Sequence, residues 1–218
     1  MKSVVFLVSG GGGNLKFFYL ALKYKLISGI KLHVIADREC GALKFAGSKD
    51  IDNNIILYKR SHPESLTRIL VNLKPDIIVT NWHKIIDVHT VASFQGKLVN
   101  LHYSLLPAFS GLIGVKPIAR AYEQGCKFIG PTCHLVDEGV DTGNIISQAV
   151  FSTERSFEDS VNLMFNKGCL VLLSGIQQVL GQRISTAQVS NFDPSYGPPL
   201  GFDESIFNEK FWKELAIL

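Results

Sequence analysis

Residues 1–26 read MKSVVFLVSGGGGNLKFFYLALKYKL. A short, continuous apolar run ends in glycines and gives way to apolar residues at helical spacing, which predicts strand, loop and helix. Four consecutive glycines, Gly10, Gly11, Gly12 and Gly13, free several backbone N–H groups to point at one spot beside a helix opening near Asn14. Such a spot suits a phosphate or carboxylate, the alternative being a tight turn that binds nothing. The Lys-Ser/Thr ending of a P-loop is missing, and GxGxxG is met only loosely. The same unit recurs downstream. KLHVIAD is a strand, PESLTRILVNLK a helix, and PDIIVTNW and GKLVNLHYS are further strands. Strands alternating with helices predict an α/β fold with a doubly wound, mostly parallel twisted sheet and helices on both faces. Ligands in such sheets bind beyond the carboxyl ends of the strands. Three polar stretches, SGGGGN, NWHK and NLHYS, fall at those ends.

The chain has 218 residues, of which 46% are hydrophobic and 19% charged, with a formal net charge of +3. These values predict a buried core and give no electrostatic reason to expect nucleic acid or membrane as a partner. The opening apolar run is too short to span a bilayer and lacks a signal peptide's cleavage site. Cys40, Cys126, Cys133 and Cys169 show neither CxxC spacing nor a partnered histidine, so the reading is of reduced thiols in a cytoplasmic protein.

Asn100 and His102 share one face of a strand, since side chains two apart point the same way. An amide can hold a developing oxyanion, and an imidazole can pass a proton near neutral pH. The loop DEGVDTGN supplies Asp137, Glu138 and Asp141. A carboxylate from it beside His102 is expected to orient the ring and raise its pKa. Ser104 lacks the GxSxG surroundings of a nucleophile. His134, inside an apolar run, reads as a packed, hydrogen-bonded residue, while His33, His62 and His89 lack a supporting pattern.

NLHYSLLPAFSG followed by GPTCHLVDEGVDTGNII resembles the signature of the folate-dependent formyltransferases, an Asn-x-His, a Leu-Leu-Pro loop and a downstream D-x-G loop. The opening VVFLVSGGGGNLK is similar to the start of the glycinamide ribonucleotide branch, where a glycine-rich stretch takes the substrate's phosphate. The resemblance runs from about residue 1 to residue 150. It implies formyl transfer from 10-formyltetrahydrofolate to a small primary amine without a metal, with Asn100, His102 and Asp141 catalytic. It further implies that Gly10, Gly11, Gly12, Gly13 and Asn14 bind the acceptor's phosphate. The folate would lie against Trp82, His83, Lys84, Ile85 and Ile86 and under the loop Val136, Asp137, Glu138, Gly139 and Val140.

Departures concern the acceptor. VNLMFNKGCLVLL lacks the Gln-Glu-His-like run and Tyr-Pro of that branch, and KPIARA leans toward branches that formylate methionyl-tRNA or amino sugars. Glycinamide ribonucleotide is the first acceptor expected, a nucleotide-linked amino sugar or other phosphate-bearing amine the second. Transfer to methionyl-tRNA calls for a further carboxy-terminal domain. A deformylase, in which water replaces the amine, would be expected to carry an amino-terminal regulatory domain before the glycine loop. The expected division is a catalytic domain over 1–184 and a tail over 185–218. In the tail, NFDPSYGPPLG reads as irregular, and Phe202, Ile206, Phe207, Phe211 and Leu215 form a helical stripe. That stripe docks either on the body or on a second copy of the chain, which would make a homodimer.

Overall fold

In the computed structural model, residues 1–181, 195–197 and 200–218 are described. They form two compact units, one of residues 1–98 with 205–218, the other of residues 99–204. The boundary expected at 184/185 and most of NFDPSYGPPLG lie outside the described residues.

The first unit is a parallel α/β layer. Strands β1 (Lys2–Val8), β2 (Ile30–Ala36), β3 (Asp52–Ile55) and β4 (Ile77–Asn81) pair in the order β3-β2-β1-β4. All three pairings are parallel, with Val4 opposite both Leu32 and Ile77. Val4 to Val8 are almost wholly buried, as a strand covered on both faces must be. Helices α1 (Gly13–Lys23), α2 (Gly41–Ser48), α3 (Glu64–Leu73) and α4 (Val88–Ser93) fill the connections. The sequence pattern did not predict α2, β3 or α4. Strand β3 is exposed along its whole length, so its DNNI sequence carries no apolar signal. It is held by pairing with β2 and by a 2.8 Å contact from His33 Nε2 to Asn54 Oδ1.

The end of the chain completes this unit. Helix α7 (Glu209–Ile217) is capped by the Asn208 side chain, which accepts from Phe211 N. Phe207 stacks on the fully buried Phe17 of α1 at 5.2 Å, and the Phe211 and Trp212 rings lie 5.5 and 5.8 Å from it. Lys23 Nζ pairs with Glu214 at 2.7 Å, and Tyr24 also donates to that carboxylate. Within the stripe, Phe207, Phe211 and Leu215 are buried against the body, while Ile206 stays 37% exposed. Trp212, which the stripe omitted, shares the contact.

In the second unit are β5 (Leu98–His102), α5 (Lys116–Glu123), β6 (Phe128–Ile129), β7 (Thr132–Leu135), β8 (Ile145–Ser152), α6 (Phe157–Val179) and β9 (Ser195–Gly197). Among the described residues, β5 pairs antiparallel with β7, β7 with β8, and β8 with both β6 and β9. The short β7–β8 connection permits only that direction. Ser156 caps α6 by accepting from Asp159 N. Glycines on α6 bring it close to the sheet: a Cβ at Gly168 would lie 3.1 Å from the Tyr103 ring, and one at Gly175 2.5 Å from Cys133 Sγ. Ile118, Ala121, Ile129, Phe151 and Met164 form a core cluster against which Phe109 packs. Among the described residues, no helix is long and apolar enough to cross a membrane.

Candidate active site

In the first unit, the loop between β1 and α1 turns on Gly12, whose φ of 74° is left-handed. A Cβ there would sit 2.6 Å from Ala42 Cβ, and one at Gly41 would lie 3.3 Å from Gly11 Cα. Glycine is thus needed for conformation and for the close approach of two helix starts, which the bond from Ala42 N–H to Gly10 O (2.9 Å) fixes. Gly10 and Gly11 have open space where a side chain would stand. Gly12→Ala should therefore lower stability by on the order of 2 kcal/mol or more. Gly11→Ala should leave stability near wild type, both measured by urea denaturation.

Asn14 Nδ2 donates to Asn81 Oδ1 at 3.3 Å, joining this loop to the end of β4. His83 N–H donates to Ser9 Oγ at 3.3 Å. Within the stretch 82–86, Trp82 is buried and stacked on Tyr58 at 4.9 Å, whereas Ile85 remains 47% exposed. Tyr58 and Asp87 fix the stretch from below. The Tyr58 hydroxyl donates to Ile85 O and accepts from Asp87 N–H (3.1 and 2.8 Å), and burial pushes it up to about 12. The Trp82 indole N–H is buried and has no hydrogen-bond partner among the described residues.

In the second unit, β5 and the loop after β7 bring Asn100, His102 and Asp141 into contact. His102 Nδ1 lies 3.2 Å from Asp141 Oδ2, and Asn100 Nδ2 donates to Asp141 Oδ1 at 3.3 Å. The His102 and Asp141 side chains are largely withdrawn from solvent, at 6% and 11% exposure. Asp141 adopts a φ of 56°, a conformation that aspartate tolerates better than most residues, and its Oδ2 also accepts from Gly111 N–H at 2.8 Å. The neighbouring loop is braced by Asp137, whose Oδ1 accepts from Gly139 N–H and the Thr142 hydroxyl (3.1 and 2.7 Å). Val136 is half-buried and Val140 45% exposed.

His134 joins the cluster. It stands opposite Asn100 in the β5–β7 register, with Nε2 at 3.2 Å from Asn100 Nδ2 and 3.5 Å from Asp141 Oδ1. Its Nδ1 donates to Leu135 O at 2.7 Å. The sequence marked it as packed and hydrogen-bonded, which it is. Its place beside the trio is visible only once the antiparallel register is known.

Burial pushes the Asp141 carboxyl up. The bond from His134, the Gly111 N–H, and the charges of His102 and His134 outweigh it, and the group lies below the ordinary carboxylate value. For His102 the expected rise does not hold. Burial, with the His134 charge, overrides the upward pull of Asp141 and of the Phe109 carbonyl, so the ring lies below the usual histidine value. Both shifts act on stability in the same direction. As pH falls below about 6.5, the unfolded chain protonates its histidine first, and near pH 4 its carboxylate. The folded state should lose stability through both windows, read as a thermal midpoint that falls from about pH 7 to about pH 3. His102→Gln should flatten the upper part of that slope.

A buried imidazole and a part-buried amide that share one carboxylate, on an α/β scaffold, bring together an acid–base group and a hydrogen-bond donor. The Formyl transferase family model matches residues 2–168, and the chain belongs to that family. It is 32% identical over 160 residues to the chloroplastic phosphoribosylglycinamide formyltransferase of Vigna unguiculata, covering 68% of this chain and 51% of that protein. It is also 32% identical over 131 residues to the formyltetrahydrofolate deformylase of Escherichia coli (strain K12), covering 59% and 46%. The chain thus spans about half the length of these relatives. Among solved structures, glycinamide ribonucleotide transformylase 1 from Symbiobacterium toebii superposes with a TM-score of 0.73 at 26% identity, over 83% of this chain and 89% of that one. No group of three or more His, Cys, Asp or Glu side chains among the described residues is arranged to hold a metal ion.

Proposed function

We propose that the chain transfers a formyl group from 10-formyltetrahydrofolate to a small primary amine, with glycinamide ribonucleotide the first acceptor to test. The observation that carries this reading is the contact of Asn100 and His102 with Asp141. The folate supplies the formyl carbon. As the amine attacks it, negative charge gathers on the formyl oxygen, where the Asn100 amide and the His102 imidazolium would stabilise it. Asp141 holds the His102 ring and assists the amine's proton on its way to the departing folate nitrogen. The half-exposed Ile85 and Val140 are apolar surface of the kind a pterin covers, which supports stretches 82–86 and 136–140 as its contacts. Residues 10–14, opening α1, would take the acceptor's phosphate. Catalysis is assigned to residues 1–184. Four thiols, none in a disulfide, support a cytoplasmic setting.

The relatives named deformylase favour a second reading, in which water replaces the amine. The test follows tetrahydrofolate release from 10-formyltetrahydrofolate with glycinamide ribonucleotide, with a nucleotide-linked amino sugar, and with no amine. Release only with an amine supports the transferase and names its acceptor. Equal release in all three supports the hydrolase. No release in any of them would rule out the hydrolase and both of these acceptors.

A further inference from the structure

We propose that Phe109 is a positioning residue for His102, its left-handed backbone turning its carbonyl into the second acceptor of the imidazole. His102 Nε2 lies 3.1 Å from Phe109 O, while Nδ1 faces Asp141. Both ring nitrogens therefore meet acceptors. A neutral imidazole can satisfy one of them, and only the imidazolium satisfies both. The carbonyl thus fixes the ring's rotation and favours the charged form, which the proposed reaction, on which this inference rests, uses to stabilise the oxyanion.

The aim of the carbonyl depends on a conformation that phenylalanine avoids. Phe109 has a φ of 60°, where a bulky residue is an outlier and persists only if its surroundings over-determine it. They do so here from three sides. The ring is packed against the cluster of Ile118, Ala121, Ile129, Phe151 and Met164. On the amino-terminal side, the Ser104 hydroxyl donates to Ala108 O, and Thr132 Oγ1 donates to Ser104 O (2.6 Å) while accepting from Leu106 N–H (3.1 Å). On the carboxy-terminal side, Gly111 N–H is bound to Asp141. One carboxylate therefore holds both the imidazole and the segment that carries its second acceptor. Ser104, beside the histidine yet no nucleophile, acquires a role as a brace.

The test compares Phe109→Val with Phe109→Asn in the full chain. Both remove the ring, but valine resists the left-handed region and asparagine accepts it. The primary readout is the titration of His102 by NMR with labelled histidine, assigned through His102→Gln and independent of any acceptor. The groups facing the ring are Asp141, His134 and the Phe109 carbonyl. Losing the carbonyl should move the titration to lower pH in Phe109→Val, while Phe109→Asn stays near wild type. With the acceptor found above, kcat should fall on the order of tenfold to a hundredfold in the valine variant, with KM little changed. If Phe109→Val does not fold, Phe109→Ala carries the same backbone preference with less crowding. Equal titration shifts in the valine and asparagine variants would reduce Phe109 to packing, and no shift in either would remove its carbonyl from the site. Both results overturn the proposal. A shift confined to the valine variant upholds the positioning even if no acceptor is found, so the two readings fail separately.

Discussion

Replacing His102 by alanine is expected to lower formyl-transfer turnover by about 10²–10⁴-fold, the range for loss of acid–base and oxyanion assistance together. Folate affinity should change little, because the substitution touches neither of the stretches proposed to hold it, 82–86 and 136–140. The variant should still fold, since Asp141 keeps its bonds from Asn100 and Gly111 and is left with no unpaired oxygen. Steady-state kinetics together with folate binding by fluorescence separate the two effects. Turnover within tenfold of wild type would take His102 out of the mechanism. A parallel loss of folate affinity would instead point to a disturbed loop.

The second large effect concerns stability. Phe211→Ala removes a ring that is 3% exposed and makes edge contacts with Phe17, Phe207 and Trp212. Burial and cavity costs for such a truncation run to about 3–5 kcal/mol. Deleting everything after Gly181 should cost more, because Phe17 then faces water as well. Urea denaturation measures the first, and dye binding to exposed apolar surface the second. A Phe211→Ala protein within about 1 kcal/mol of wild type would mean that α7 rests on the body without holding it.

Much of this was legible in the sequence, for identifiable reasons. Strand β1 and its glycines announce themselves because a run buried on both faces must be apolar throughout, and because a Cβ at Gly12 would lie only 2.6 Å from that of Ala42. Asn100 and His102 could be singled out by residue type and spacing, whereas Asp141 was chosen among the acidic residues of its loop only by the resemblance to the formyltransferases. What stayed hidden depends on pairing partners distant in sequence. His134 becomes a site residue only when β7 is laid antiparallel on β5, and β3 exists because β2 offers it an edge. The depressed pKa of His102 follows from burial, a property of the assembled core that a neighbouring carboxylate did not outweigh. Nor does a phenylalanine advertise a left-handed backbone at Phe109.

The pairing of Lys23 with Glu214 spans 191 positions of the chain. A ribosome adding about 5–20 residues per second needs roughly 10–40 s to cover that distance. For that long, α1 stands with its aromatic face uncovered. The unit of residues 1–98 thus cannot be completed until residues 205–218 have been made. During synthesis, the aromatic face of α1 is where a chaperone has something to hold.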